Sequence, residues 1–216
     1  KAAMKDCKSW QAKTRMAEAA NKNTTSMFSS AKTALQNEIK AALGAAKDPY
    51  EKAAWLKAWS SELRNFESIP KYTLPDQPIP VRTQAVTCLI DACRDKNFDA
   101  YFAGEGYLIK AQIGGYLATA MKSGDPGIIA LIAGAISDPK TGLKEIFKER
   151  KTDLNKALAG LKLPEEMETY LEVTKALKEY GMDAPAVPED QKKYKSIDWK
   201  LIDQLKEKKN KLEQLK

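Results

Sequence analysis

The apolar positions of this chain fall at helical spacing nearly throughout. Phe28, Ala31, Leu35, Ile39 and Ala42 repeat at three and four and form one stripe, which predicts a long helix over residues 5–46. The stretch EAANKNTTSMFSSAKT is its weak point, because Asn, Thr and Ser side chains compete for backbone hydrogen bonds. A kink or a frayed turn is expected there. The next segment, KDPYEKAAWLKAWSSELRNFESIP, carries the sharpest start signal. Asp48 stands at the N-cap, Pro49 in the first turn and Glu51 three residues on, the spacing of a capping box. Leu56, Trp59, Leu63 and Phe66 form its core face, and Pro70 ends it. These two helices, joined at GAAKDP, are expected to make an antiparallel hairpin over residues 1–69.

The periodicity lapses in IPKYTLPDQPIPV, residues 69–81. Pro70, Pro75, Pro78 and Pro80 argue against a helix and predict an extended path over the surface. Residues 70–81 are either a plain crossover or a docking segment, and the crossover is the simpler reading. A compact bundle of shorter helices follows over residues 82–180. Val86, Leu89, Ile90 and Cys93 share one face, and FDAYFAGEGYLIKAQIGGYLATAMK breaks near Gly104 and Gly106. Asp125-Pro126 and Asp138-Pro139 repeat the cap-and-proline start of Asp48-Pro49. PEEMETYLEVTKALKEYG is a further helix, closed by Gly181. Residues 181–195 read as a linker. In residues 196–216, Leu201, Leu205, Leu212 and Leu215, with Lys208 between them, make an amphipathic helix suited to a coiled-coil partner or to packing back on the body. The pattern predicts an all-α multi-helix bundle with no strand and no internal repeat: one domain with an appendage.

The most apolar stretch, SGDPGIIALIAGAISDPKTG, raises a sharper question. From Pro126 to Ile136 it is apolar all round, the signature of a central buried helix. It is about half the length a membrane span requires, and Asp125 and Asp138 close its ends. The apolar segment YLIKAQIGGYLATAMK precedes it across a tight turn. Two apolar helices sheathed by amphipathic ones are also how soluble helical pore-formers store a membrane hairpin. That resemblance is architectural, covers residues 107–137 and rests on no motif. Ile128, Ile129, Leu131, Ile132 and Ile136 would be its inserting side chains; Lys110 and the short second arm count against it. A groove for a small molecule or partner is the remaining reading.

Charge adds little direction. The chain of 216 residues carries a net +7, of which residues 1–69 hold 12 Lys/Arg against 7 Asp/Glu. Only five of the 36 basic residues are Arg, the preferred reader of base edges and phosphates, so nucleic acid is disfavoured. The chain has no histidine, which removes His-dependent triads, His acid–base chemistry and His-ligated metals. Three cysteines allow at most one internal disulfide, of Cys7 with Cys88 or with Cys93, or else are three unrelated thiols. Cys88 and Cys93, five apart on one helix, point in different directions. A disulfide, together with a chain that begins at Lys1, would suit an exported or surface-associated protein. Asn23-Thr24-Thr25 fits the glycosylation pattern, which matters only in a eukaryotic secretory setting.

Three clusters invite chemistry. Asp91, Asp95 and Asp99 are spaced by four and would line one helix face as a cation site, though Arg94, Lys96 and a break at Asn97 favour a solvated face. Glu105, flanked by glycines near Tyr101, Phe102, Tyr107 and Tyr116, has the surroundings of a general acid but no second carboxylate. A helix break beside core aromatics is the plainer explanation. Glu165, Glu166, Glu168 and Glu172 read as a helix start favoured by its dipole. No phosphate loop, dinucleotide fingerprint, CxxC or nucleophile elbow is present. No catalytic group, metal or cofactor is therefore expected. The reading is a non-catalytic helical interaction or scaffold protein that binds a protein partner, with oligomerisation open through the C-terminal helix. The alternative is a membrane-active toxin or lipid-binding protein using residues 107–137. Trp10, Trp55, Trp59 and Trp199 are candidate anchors, Trp59 leaning to the core and Trp199 being the strongest.

Overall fold

The computed structural model describes residues 7–22, 29–162 and 165–182. Among them are ten α-helices and no strand. The helix expected over residues 5–46 is two, α1 (Trp10–Lys22) and α2 (Ser29–Ala45). They fold back on one another. The Gln36 amide on α2 donates to Asn21 Oδ1 on α1; in one continuous helix those residues would lie about 22 Å apart. Leu35, Ile39 and Leu43 face the core from α2. Phe28 and the Asn23-Thr24-Thr25 triplet lie outside the described residues.

Helix α3 (Pro49–Ser60) begins as its sequence predicts: Asp48 Oδ1 accepts from Tyr50 N at 3.0 Å and Glu51 N at 2.8 Å. The Glu51 carboxylate takes the Trp55 indole N–H at 3.4 Å instead of returning to close a box. The helix stops ten residues short of Pro70. Glu62 turns to extended backbone, φ −99°, and the chain continues as two 3-10 segments, Leu63–Ser68 and Pro70–Tyr72. The stop has a side-chain cause. Asn65 Nδ2 donates to Trp59 O at 2.8 Å, and the buried Glu62 carboxylate binds Tyr101 OH and Lys32 Nζ, both at 2.7 Å. Residues 70–78 are compact turns and residues 79–81 already belong to the next helix, so 70–81 is not an extended strand of chain. Pro70 opens a 3-10 turn, and Pro80 stands in the first turn of α4 (Ile79–Arg94), where no N–H is needed.

The remaining helices are α5 (Phe98–Tyr101), α6 (Gly106–Met121), α7 (Pro126–Ile136), α8 (Leu143–Phe147), α9 (Lys151–Ala159) and α10 (Met167–Lys178). Ala103 at φ +49° and Gly104 at φ +92° form the predicted break before α6. Asp125 caps α7 through Ile128 N at 3.0 Å. Asp138-Pro139 does not start a helix. Asp138 Oδ1 accepts from Lys140 N, and buried Thr141 donates to Ala135 O while accepting from Leu143 N. That hydroxyl holds a left-handed turn at Gly142, so α8 starts only at Leu143. After α10, Gly181 at φ +65° carries the paired bonds Gly181 N to Lys178 O and Met182 N to Leu177 O of a Schellman close.

Side-chain contacts set the helix directions. Asn21 of α1 meets Ala58 of α3, while Trp10 and Trp55 line one groove, so α1 and α3 run parallel. Lys32 of α2 meets Glu62, and Ala45 meets the Trp10 groove, so α2 runs against them. Lys52 sits 5.9 Å from the Tyr72 ring and Ser60 bonds Cys88, so the 3-10 segments return the chain and α4 rises beside α3. Arg82 reaches Ser123, and Asp138 reaches Arg94, which makes α6 antiparallel and α7 parallel to α4. Helices α1, α3, α4 and α7 thus all begin at one end, called the lower end below.

One apolar cluster runs from Ala17 to Leu177. Helix α7 lies at its centre against α4 and α10. Ile128, Ile129, Ile132 and Ile136 are all at most 1% exposed, as is expected of a core helix, whereas Leu131 is 39% exposed. No helix among the described residues is long and apolar enough to cross a membrane.

Candidate functional site

The chemistry considered for Glu105 loses its premise. Glu105 stands exposed at the start of α6 without a capping bond, and Tyr107 beside it is 65% exposed. The carboxylate placed among partners is Glu62, which sequence reasoning missed because its partners, Lys32 and Tyr101, come from distant elements. Asp91, Asp95 and Asp99 do not line one face either. Asp91 pairs with Arg94 at 3.1 Å, Asp95 accepts from Asn97 N at 2.8 Å as α4 ends, and Asp99 on α5 lies 3.8 Å from Lys110 Nζ. Arg94 also holds Asp138 at 2.9 Å, which raises the guanidinium pKa, while the Lys140 N–H and Arg94 lower that of Asp138. No group of three Cys, Asp or Glu able to hold a metal occurs among the described residues.

The disulfide of Cys7 with Cys88 or Cys93 is not formed: all three thiols are free. Cys88 and Cys93 are buried on different faces of α4, while Cys7, partly exposed, precedes α1. Burial pushes the Cys93 thiol up to about 12 and raises Cys88 as well, against the hydrogen bonds from Ser60 and Gln84. Denatured protein is therefore expected to titrate three thiols without reductant, and native protein at pH 8 one fast thiol, Cys7. Three fast native thiols would refute the burial. The raised Cys93 value also has a sign. The folded thiol keeps its proton between its ordinary 9.0 and about 12 while the unfolded one loses it. Stability from this group is thus complete below pH 9 and declines as pH rises through that window.

The proposed anchors divide. Trp55 is buried and Trp59 half-buried, its indole donating to Ser68 Oγ at 2.7 Å. Trp10 is half-buried on a groove with Trp55, Lys8 and Lys13. Trp199, Leu201, Leu205, Leu212 and Leu215, and linker residues 183–195, lie outside the described residues.

The lower end presents something the apolar pattern did not single out. Tyr50 is 68% exposed, Ile79 58% and Leu74 43%. Tyr50 opens α3, Leu74 follows the Pro70–Tyr72 turn, and Ile79 opens α4, so parallel α3 and α4 bring them to one end. At the same end Lys71 lies 5.0 Å and Lys52 5.9 Å from the Tyr72 ring. The available signal was the proline-rich segment, weighed as crossover or docking segment. The upper end carries a smaller apolar pair, Tyr107 and Leu108.

No family model, curated protein or solved structure matches the chain.

Proposed function

We propose that the protein is a non-catalytic helical interaction module whose lower end docks a protein partner. The observation that supports this is the exposed trio Tyr50, Leu74 and Ile79 beside Lys52 and Lys71. Large apolar side chains gathered at one end and rimmed by charge are what interfaces are made of. Aromatic and aliphatic anchors carry most of the energy in such contacts. The lysines favour an acidic rim on the partner. Export drew part of its support from a disulfide, and with three free thiols that support falls away.

The test is cross-linking and affinity capture with the full chain and two variants. Ile79→Glu should weaken the captured complex more than tenfold, about 1.4 kcal/mol or more, with an unchanged circular dichroism spectrum. Leu108→Glu, at the other end, should leave it intact. Capture insensitive to Ile79→Glu would refute the assignment. Vesicle binding abolished by Leu108→Glu would instead favour the membrane-active alternative.

A further inference from the structure

Arg82 lacks an acid. It is 7% exposed and sits in the first turn of α4, where the helix dipole disfavours a cation. Its Nη2 donates to Ser123 Oγ, and its Nε has no partner. Among the described residues no carboxylate pairs with it. A desolvated guanidinium without a counter-charge is a heavy energetic burden, and it leaves its positive potential on the turn to which it is bonded.

Ser123 lies in the turn between α6 and α7. Its neighbours Lys122 and Gly124 form one wall of a cavity of about 280 Å³, and Ile129, Asp153, Lys156 and Leu161 are among the others. Neither Lys122 nor Lys156 is in an ion pair among the described residues. Asp125, two residues beyond Ser123, is engaged as the cap of α7. Asp153 is thus the single carboxylate in a wall that also carries two lysines, and Arg82 is bonded to the turn beside Lys122. The volume approaches that of small-molecule sites, about 300 Å³ at the lower bound, and Ile129 and Leu161 add apolar surface that a bare inorganic ion would not use.

We propose that this cavity binds a small organic anion, with a carboxylate, phosphate or sulfonate head and a short apolar body. The head lies between Lys122 and Lys156, and the body lies on Ile129 and Leu161. Arg82 does not touch the ligand. Ser123 Oγ accepts from Arg82 and donates to Ala120 O at 2.7 Å, so Arg82 positions the turn and adds positive potential. The lining of this site shares no residue with the docking surface proposed above, and the proposal does not rest on that surface.

The experiment is isothermal titration calorimetry of the full chain with octanoate, and with octylamine as the same tail bearing the opposite charge. Octanoate should bind at least tenfold more tightly than octylamine. Lys156→Glu should weaken octanoate at least tenfold and leave the melting temperature in place. Lys13→Glu, in the Trp10 groove, should change nothing. Arg82→Gln should lower octanoate affinity while leaving octylamine unaffected. If that variant does not fold, Lys122→Gln takes its place with the same expectation. Equal binding of octylamine, no binding of octanoate at millimolar concentration, or indifference to Lys156→Glu would each overturn the proposal.

Discussion

Ile132→Asp is expected to leave the chain unfolded at 25 °C, while Leu131→Asp, one residue earlier, leaves it folded. The contrast follows from position alone. Ile132 has no solvent exposure and lies on the face of α7 packed between α4 and α10; Leu131 is 39% exposed. A carboxylate at 132 would have no cation to meet, and it would also remove the apolar volume of the isoleucine. Losing that volume alone costs about 2–5 kcal/mol, and a buried unpaired polar group adds several more. That sum is comparable to the whole stability of an ordinary domain, about 5–15 kcal/mol. Leu131→Asp should cost about 1 kcal/mol or less, a fall in Tm of a few degrees. Thermal melts followed by circular dichroism separate the two. A folded Ile132→Asp protein would mean that α7 is not the core helix.

The same packing constrains the membrane-active alternative. Of the side chains that would enter a bilayer, Ile128, Ile129, Ile132 and Ile136 are the centre of the core, and Leu131 alone is exposed. Insertion would have to open α7 away from α4 and α10, exposing their apolar faces at the same time. A vesicle-binding test therefore cannot use an aspartate at 129 or 132, because the variant would lose its fold before it lost its membrane. Leu108→Glu leaves the core untouched and addresses the pair already exposed on α6.

What the sequence revealed and what it hid divides along the range of the interactions. Caps at Asp48 and Asp125, the break at Gly104, the Gly181 close and the Val86–Leu89–Ile90–Cys93 face are local or single-helix features, and each stands where its spacing placed it. The errors lie where a distant side chain intervened. A helix continuing through Glu62 was a fair reading until Lys32 and Tyr101 reached its carboxylate. Asp138-Pro139 looks like Asp125-Pro126, but the buried hydroxyl of Thr141 redirects the chain after it. The candidate surface was hidden for a related reason. Tyr50, Leu74 and Ile79 belong to three segments, and only the parallel rise of α3 and α4 brings them together. Arg82 reads as one more surface cation in its sequence; its burial depends on the α6–α7 turn, some 40 residues on.

The largest hidden feature is a buried amide network, and Asn21→Leu is expected to cost about 3 kcal/mol. Asn21 is 1% exposed. Its Nδ2 donates to Ala58 O at 2.9 Å, at the end of α3, where carbonyls have no helical partner. Its Oδ1 accepts from Gln36, whose own oxygen accepts from Asn65 Nδ2 at 2.9 Å, and Asn65 also holds Trp59 O. Asn21 of α1 and Asn65 of the first 3-10 segment thus cap α3, and Gln36 of α2 bridges the two, which fixes where all four elements meet. Leucine keeps the branching of asparagine but is bulkier, so overpacking adds to the polar loss. It strands the Ala58 carbonyl away from water, at about 1–3 kcal/mol, and takes the acceptor from the half-buried Gln36 amide at a smaller cost. Tm should fall by about 6–12 °C, at roughly 2–4 °C per kcal/mol for a chain of this size. A double-mutant cycle with Gln36→Leu should show a coupling of about 1 kcal/mol, because the second substitution removes a group the first had stranded. Strict additivity, or a loss for Asn21→Leu within about 0.5 kcal/mol, would show that α3 ends without these amides, and that α1 and α2 are held together by the apolar stripe of Leu35, Ile39 and Leu43 alone.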